Sequence, residues 1–530
     1  MNATARAFYF RGKNIFELGE MEIGELLPFF AAVSLPAHER EVARPILPHI
    51  VERLQSFVIL NLGYISLNRR IGTISGGELQ RARLVSQLGF SLNGIVYILD
   101  EPSIGMHFSE QLNLLRILGR LRENGNTLIV VEHDEETIRA ADFIIDIGPG
   151  AGEKGGEIVF AGPFSDFAAA GNSLTADYVF GRRRIDALPP AVRTDGAALR
   201  IDGISINNLK RIDLVIPLQR LTVVSGVSGS GKSSLVVDAL APILMREIHG
   251  GPVPDPRLSY GAIANLDRLR RVLTVSQSAI GKNSRSCPAT YIGIMPMIRA
   301  LFAALPAAKV KGYGQNRFSF NVRGGRCEAC QGLGLRRLQM GFLPELEVTC
   351  PVCAGRRFNS ETLQVRFKGR SIADVLELTA SEACELFAQV PPLARKVRIL
   401  IDVGLGYLRL GQGSQTLSGG ESQRIKLTKE LARQSAAPTI FVLDEPTVGL
   451  HFDDVRKLIG VFRALIERGH TVVVIEHNLE MMRVADHLID LGPGGGRHGG
   501  RIVYQGDVAG IVDCPESVTG KYLNKKLRNT

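Results

Sequence analysis

The chain matches itself. Ile74-Ser75-Gly76-Gly77-Glu78-Leu79-Gln80-Arg81 corresponds to Leu417-Ser418-Gly419-Gly420-Glu421-Ser422-Gln423-Arg424. Leu99-Asp100-Glu101-Pro102 corresponds to Leu443-Asp444-Glu445-Pro446, Val131-Glu132-His133 to Ile475-Glu476-His477, and Gly148-Pro149-Gly150 to Gly492-Pro493-Gly494. The offset is 343 at the first block and 344 at the others, and the match runs on to Ser173 and Tyr178 against Ser517 and Tyr522. Such a repeat requires two copies of one domain. Phe10-Arg11-Gly12-Lys13-Asn14-Ile15 also resembles Phe367-Lys368-Gly369-Arg370-Ser371-Ile372, at an offset of 357. Copy one thus has no counterpart in the sequence for roughly residues 200–366 of copy two.

What copy one lacks includes the strongest motif of copy two. Gly226-Val227-Ser228-Gly229-Ser230-Gly231-Lys232-Ser233 is a G-x-x-x-x-G-K-[ST] phosphate loop, followed by Ser234 at the start of a helical stretch. The apolar run Leu221-Thr222-Val223-Val224 before it reads as a buried strand. The glycines let backbone N–H groups wrap phosphate oxygens. Lys232 is expected on the outer phosphates of ATP, and the Ser233 hydroxyl on Mg²⁺. Apolar runs at 95–99, 127–131, 439–443 and 471–475, with a helix at 111–123, alternate strand with helix and predict an α/β parallel sheet. Residues 12–60 carry helical patterning broken at Pro36, Pro45 and Pro48.

Asp444 and Glu445 end one such strand. Asp there suits the Mg²⁺ shell, and the next acid orients or deprotonates water. His477 ends the following strand, placed to sense the γ-phosphate. Gln277 is a candidate link between Mg²⁺ and the neighbouring copy.

Composition narrows the class. With 530 residues and 45% hydrophobic content the chain has material for several cored domains. No apolar run nears the roughly 20 residues of a membrane helix, and the first residues have no apolar signal core, so a cytoplasmic location without membrane contact is expected. A net charge of +10 points to a polyanionic partner. Seven cysteines, an odd number, argue against a pure disulfide framework. Cys327-x-x-Cys330 and Cys350-x-x-Cys353 stand 19 residues apart, the spacing of a closed structural Zn²⁺ site. Just before them, residues 309–326 hold five basic residues, no acid and three aromatics. Lys311, Arg317, Arg323 and Arg326 there are candidates for a nucleic-acid backbone.

Ser-Gly-Gly-Glu, twice, resembles the signature of ATP-binding-cassette (ABC) ATPases. In that family two cassettes meet head to tail, and each ATP lies between the phosphate loop of one and the signature of the other. The resemblance implies one complete site: Gly226–Ser234, Asp444, Glu445 and His477 facing Ser75, Gly76, Gly77 and Glu78. The second combination, Asp100, Glu101, His133 and Ser418-Gly419-Gly420, has no phosphate loop and is not expected to hold ATP unless another polypeptide supplies one.

Zinc knuckles between phosphate loop and signature, the stretches Arg317–Gly334 and Asp402-Val403-Gly404-Leu405-Gly406-Tyr407, and the Asp-Glu-Pro-[Ser/Thr]-x-Gly-[Leu/Met]-His blocks at 100–107 and 444–451 resemble the UvrA family of bacterial nucleotide excision repair. The resemblance implies ABC cassettes, one partial and one complete, with an inserted helical and zinc-binding signature domain. The expected division is 1–165 (partial first cassette), 166–198 (linker), 199–275 (second cassette, first part), 276–394 (inserted domain) and 395–530 (remainder). It further implies a DNA-binding, damage-sensing ATPase of the excinuclease system that uses ATP, Mg²⁺ and Zn²⁺, binds damaged double-stranded DNA and forms a homodimer. Handover to UvrB by the family's route is not expected, because the sequence does not contain that binding domain. Met106, Val275-Ser276 and Cys287 depart from the family pattern. Two alternatives remain open at this stage. The chain is the C-terminal part of a split UvrA needing an upstream polypeptide, or it is a soluble ABC module of a translocator without a DNA role.

Overall fold

The computed structural model describes residues 6–74, 76–87, 93–150, 155–185, 196–251, 255–276, 280–281, 285–340, 343–432 and 437–528. Copy one contributes strands β1 (Val96–Asp100), β2 (Thr127–Val131), β3 (Phe143–Gly148) and β4 (Glu157–Pro163). Copy two contributes β5 (Ala198–Ile204), β6 (Ile212–Pro217), β7 (Leu221–Gly226), β8 (Ile263–Ala264) and β9 (Arg271–Val275). After the inserted hairpin β10 (Leu335–Met340) and β11 (Leu343–Thr349) come β12 (Thr439–Asp444), β13 (Thr471–Ile475), β14 (His487–Gly492) and β15 (Arg501–Gly506).

The α/β expectation holds. Copy two is built on a six-stranded sheet in the order β9-β12-β13-β7-β14-β15, parallel except for the final pair. Strand β7 is buried along its whole length, as expected for a central parallel strand covered on both faces. One face packs under the antiparallel sheet β8-β5-β6 and the helix Ala241–His249. The other packs on the inserted domain and on helix Phe452–Glu467.

Copy one repeats the scaffold without its centre. β1 pairs with β2 in parallel and β3 with β4 antiparallel. Among the described residues no strand joins these two pairs, whereas β7 fills the equivalent slot between β13 and β14. An apolar face of copy one is exposed. Ile98 is 72% exposed where its repeat partner Val442 is 1%, and Ile145 is 61% exposed where Ile489 is fully buried.

The first part of the stretch read as a linker is structured instead. Helix Leu174–Val179 is capped by Ser173, Phe167 and Val179 are buried, and Tyr178 stacks on Phe452 of copy two at 5.6 Å between ring centroids. An apolar side chain every few residues, with a capping serine, gives this segment something to bury. Among the described residues no helix is long and apolar enough to cross a membrane.

Candidate nucleotide site and metal centre

The phosphate loop leaves β7 at Gly226, whose φ is +135°. A Cβ there would lie 2.2 Å from the Leu491 carbonyl oxygen, so only glycine fits. Lys232 is buried and curls back, its Nζ donating to the Gly226 and Val227 carbonyls at 2.9 Å each. Burial lowers its pKa, while the nearby carboxylates of Glu110 and Glu445 oppose that shift. Ser230 Oγ is buried without a hydrogen-bond partner. Ser233 is exposed, and Ser234 Oγ accepts from Asn207 Nδ2 at 3.1 Å. A glycine cradle, an ammonium and an orphaned hydroxyl fit the outer phosphates of a nucleotide.

Asp444 closes β12, and Glu445 follows at φ +45° with its N–H donating to the Ile475 carbonyl at 3.0 Å. Burial raises the Asp444 pKa, with Lys232 opposing. Burial, then the neighbouring Asp444, pushes the Glu445 carboxyl up to about 7. His477 Nε2 lies 3.8 Å from Glu445 Oε1. Burial and the Lys232 charge hold the imidazole neutral, with its pKa well below the ordinary value. Gln277 and Ser75 lie outside the described residues.

Copy one closes over this half-site. A Cβ at Gly105, in the loop after Glu101, would lie 3.3 Å from Glu445 Oε2, and one at Gly77 would lie 3.2 Å from the Ile104 carbonyl. The signature helix Gly76–Gln87 therefore abuts the loop that touches Glu445. Glu78 is buried beside Arg69 at 3.7 Å and accepts a hydrogen bond from the Tyr64 hydroxyl. The Tyr64 ring covers the apex of the phosphate loop, 2.5 Å from where a Cβ on Gly229 would stand.

The contacts recur about a pseudo-two-fold axis. His107 Nε2 lies 3.1 Å from Thr519 Oγ1, and its repeat partner His451 Nε2 lies 3.2 Å from Thr175 Oγ1. A Cβ on Gly449 would stand 3.3 Å from the Glu101 carboxylate, mirroring Gly105 and Glu445. Around the axis lies a cavity of about 510 Å³ bordered by Glu101, His133, Glu445 and His477. At the copy-one combination, Glu101 sits at φ +44° with His133 Nε2 at 3.7 Å, and Ser418 caps the helix Gly419–Leu431 through Glu421.

Sequence reasoning missed Tyr64, Arg81 and Glu110. Oε1 of Glu110, from helix Phe108–Glu123 of copy one, accepts the Ser228 N–H of the phosphate loop at 2.9 Å. The available signal was the repeat itself, since Tyr64 pairs with Tyr407 and Arg81 with Arg424.

Cys327, Cys330, Cys350 and Cys353 are buried together, with all four Sγ atoms within 4.8 Å of one another. Cys330 and Cys353 Sγ stand 3.6 Å apart, too far for a disulfide. That separation is close to the roughly 3.8 Å edge of a tetrahedron with Zn–S bonds of about 2.3 Å. Backbone amides of Cys353 and Val352 lower the Cys350 thiol to about 7, whereas burial raises Cys327 and pushes Cys353 up to about 12, so the four-thiolate state would need the charge of the metal itself. Of the four basic candidates, Lys311 and Arg323 are exposed. Arg317 is tied to Glu361 at 2.5 Å and to Thr362 at 3.0 Å, with its guanidinium 4.4 Å from the Tyr313 ring centroid. Arg326 pairs with Glu328 at 3.0 Å.

No protein-family model matches the chain. UvrABC system protein A of Thermus thermophilus is 51% identical over 515 residues, covering 97% of this chain and 54% of that protein. Its counterpart in Lactiplantibacillus plantarum is 48% identical over 99% of this chain and 55% of its own length. The crystal structure of UvrA2 from Deinococcus radiodurans matches with a TM-score of 0.89 at 42% identity, over 98% of this chain and 64% of that one. The chain belongs to the UvrA family. It spans about half the length of the curated UvrA relatives it matches. The match to a UvrA structure runs through both copies and the zinc module, and is not confined to the generic cassette core.

Proposed function

We propose that the chain is a DNA-binding ATPase of the nucleotide-excision-repair type, with one complete ATP site formed between its two copies. The observation that carries the reading is the closure of Tyr64, Gly77 and Gly105 of copy one over the phosphate loop and Glu445 of copy two. In this reading the loop amides and Lys232 hold the phosphates, and Ser233 and Asp444 hold Mg²⁺, which offsets charge on the transferred phosphoryl group. Glu445, ionised above neutral pH, takes the proton of the attacking water, and neutral His477 beside it orients the γ-phosphate. Gln277 completes the metal link, and Ser75, Gly76, Gly77 and Glu78 present the signature helix to the nucleotide.

Four thiolates hold a structural Zn²⁺ that fixes the base of the hairpin β10–β11. Lys311 and Arg323 contact the DNA backbone, while Arg317 and Arg326 shape the surface that carries them. Double-stranded damaged DNA is the proposed partner, bound by a homodimer in the cytoplasm. The test is ATP hydrolysis by the purified chain, with and without duplex carrying a bulky lesion. Hydrolysis stimulated by the lesion supports the reading, and absence of hydrolysis under both conditions overturns it.

A further inference from the structure

Glu110 is the third residue of its helix and accepts the N–H of His107 at 3.0 Å, an ordinary capping role. Its carboxylate does more. Oε1 accepts the Ser228 N–H at 2.9 Å, and Oε2 accepts the Ser228 hydroxyl at 2.6 Å. Oε2 also takes Arg81 Nη1 at 2.9 Å, with both side chains 2% exposed. Arg81 lies on the signature helix of copy one, and Ser228 lies in the phosphate loop of copy two. One buried carboxylate thus joins the two elements that must flank a nucleotide. Burial opposes its ionisation, but Arg81 and the Ser228 bonds outweigh that and hold its pKa below the usual range.

The repeat supplies an internal control. The partners of Arg81 and Glu110 in copy two are Arg424 and Asp454. Asp454 is one methylene shorter and pairs with Lys457 at 3.0 Å. Among the described residues, Nε and Nη1 of the buried Arg424 have no hydrogen-bond partners. Among the described residues the arginine–acid pair is made at the position that faces the phosphate loop and not at its repeat counterpart.

We propose that Glu110 is a positioning residue that latches the phosphate loop of copy two from copy one, with Arg81 tying the latch to the signature helix. The latch keeps the empty loop wrapped, so a nucleotide meets an ordered cradle and its affinity depends on the copy that does not carry the loop. This second half rests on the nucleotide reading above.

The experiment is hydrogen–deuterium exchange of a peptide spanning 226–233 in the nucleotide-free full chain, paired with ATP titration and steady-state kinetics. Removing a charged acceptor exposes an amide by about 10- to 100-fold. Glu110→Ala is therefore expected to speed exchange at the loop by that order and to raise KM for ATP about tenfold with little change in kcat. Glu110→Gln keeps the volume and should give a smaller effect of the same sign if the Ala variant folds poorly. Glu110→Asp, which imitates the shorter acid of copy two, should not restore protection, and Asp454→Ala should leave the loop unchanged. Unchanged exchange in both Glu110→Ala and Glu110→Gln overturns the latch. A wild-type chain with a protected loop that binds no ATP overturns the nucleotide reading and the affinity half, while the exchange result still decides the latch.

Discussion

Glu445 carries the most quantitative consequence of the site. Its carboxyl titrates at about 7 instead of the ordinary 4.5, chiefly because it is buried, with Asp444 adding to the shift. A base must be ionised to accept a proton, so activity should rise with pH through that value. At pH 6 only about one carboxyl in eleven is ionised, so kcat/KM should fall about tenfold below its plateau near pH 8.5. An unshifted glutamate would be almost fully ionised at pH 6 and would give a flat profile. Stability moves the other way. The folded carboxyl holds its proton more tightly than the unfolded one, so stability falls as pH rises from about 4.5 to about 7. The full shift corresponds to roughly 3 kcal/mol at pH 8. Glu445→Gln should therefore abolish hydrolysis and gain up to about 3 kcal/mol over wild type at pH 8, with little difference at pH 4.5. Denaturant titration followed by tyrosine emission measures this, since the chain has ten Tyr and no Trp. A kcat/KM profile that is flat from pH 6 to 8.5, or a Gln variant no more stable than wild type at pH 8, would refute the reasoning.

Metal analysis should find one Zn²⁺ per chain, lost in Cys350→Ser together with protection of the hairpin from proteolysis. DNA affinity should fall when exposed Lys311 or Arg323 is replaced by Ala, each lowering the slope of log K against log salt by about 1. Arg317→Ala should act first on the thermal stability of the module, because Glu361 and Thr362 already hold that guanidinium. Equivalent positions of the repeat should tolerate charge oppositely. Ile98→Lys should be soluble and folded, whereas Val442→Lys should fail to fold, and equal expression and melting of the two variants would contradict the exposed face.

The phosphate loop and the cysteine spacing were legible because each depends on residues near one another in sequence, and the repeat because each of its matching blocks is a short contiguous stretch. Glu110 was not. An acid at the third position of a helix reads as a local cap, which it is, and its second role depends on a loop 118 residues away. Tyr64 hides for the same reason, because the loop it covers belongs to the other copy. The open face of copy one escaped through identity, not difference. β1 and β12 carry similar continuous apolar runs, and what separates them is the layer over the face: Val442 packs under the sheet β8-β5-β6 and the helix Ala241–His249, while Ile98 is exposed. Arg317 and Arg326 read as a basic stretch, but their acidic partners Glu361 and Glu328 lie beyond it.

The interface between the copies is built from protein contacts on both sides of the phosphate loop. Reciprocal histidine–threonine contacts and the crossing loops at Gly105 and Gly449 make it. The Lys232 ammonium is satisfied within the loop by the Gly226 and Val227 carbonyls. A triphosphate exchanges those neutral acceptors for charged ones, and charge-assisted hydrogen bonds are about twice as strong. The anion would also offset the burial that lowers the lysine pKa. The Tyr64 ring stands over the loop apex at Gly229, so a ligand in the loop would lie next to a contact made by copy one.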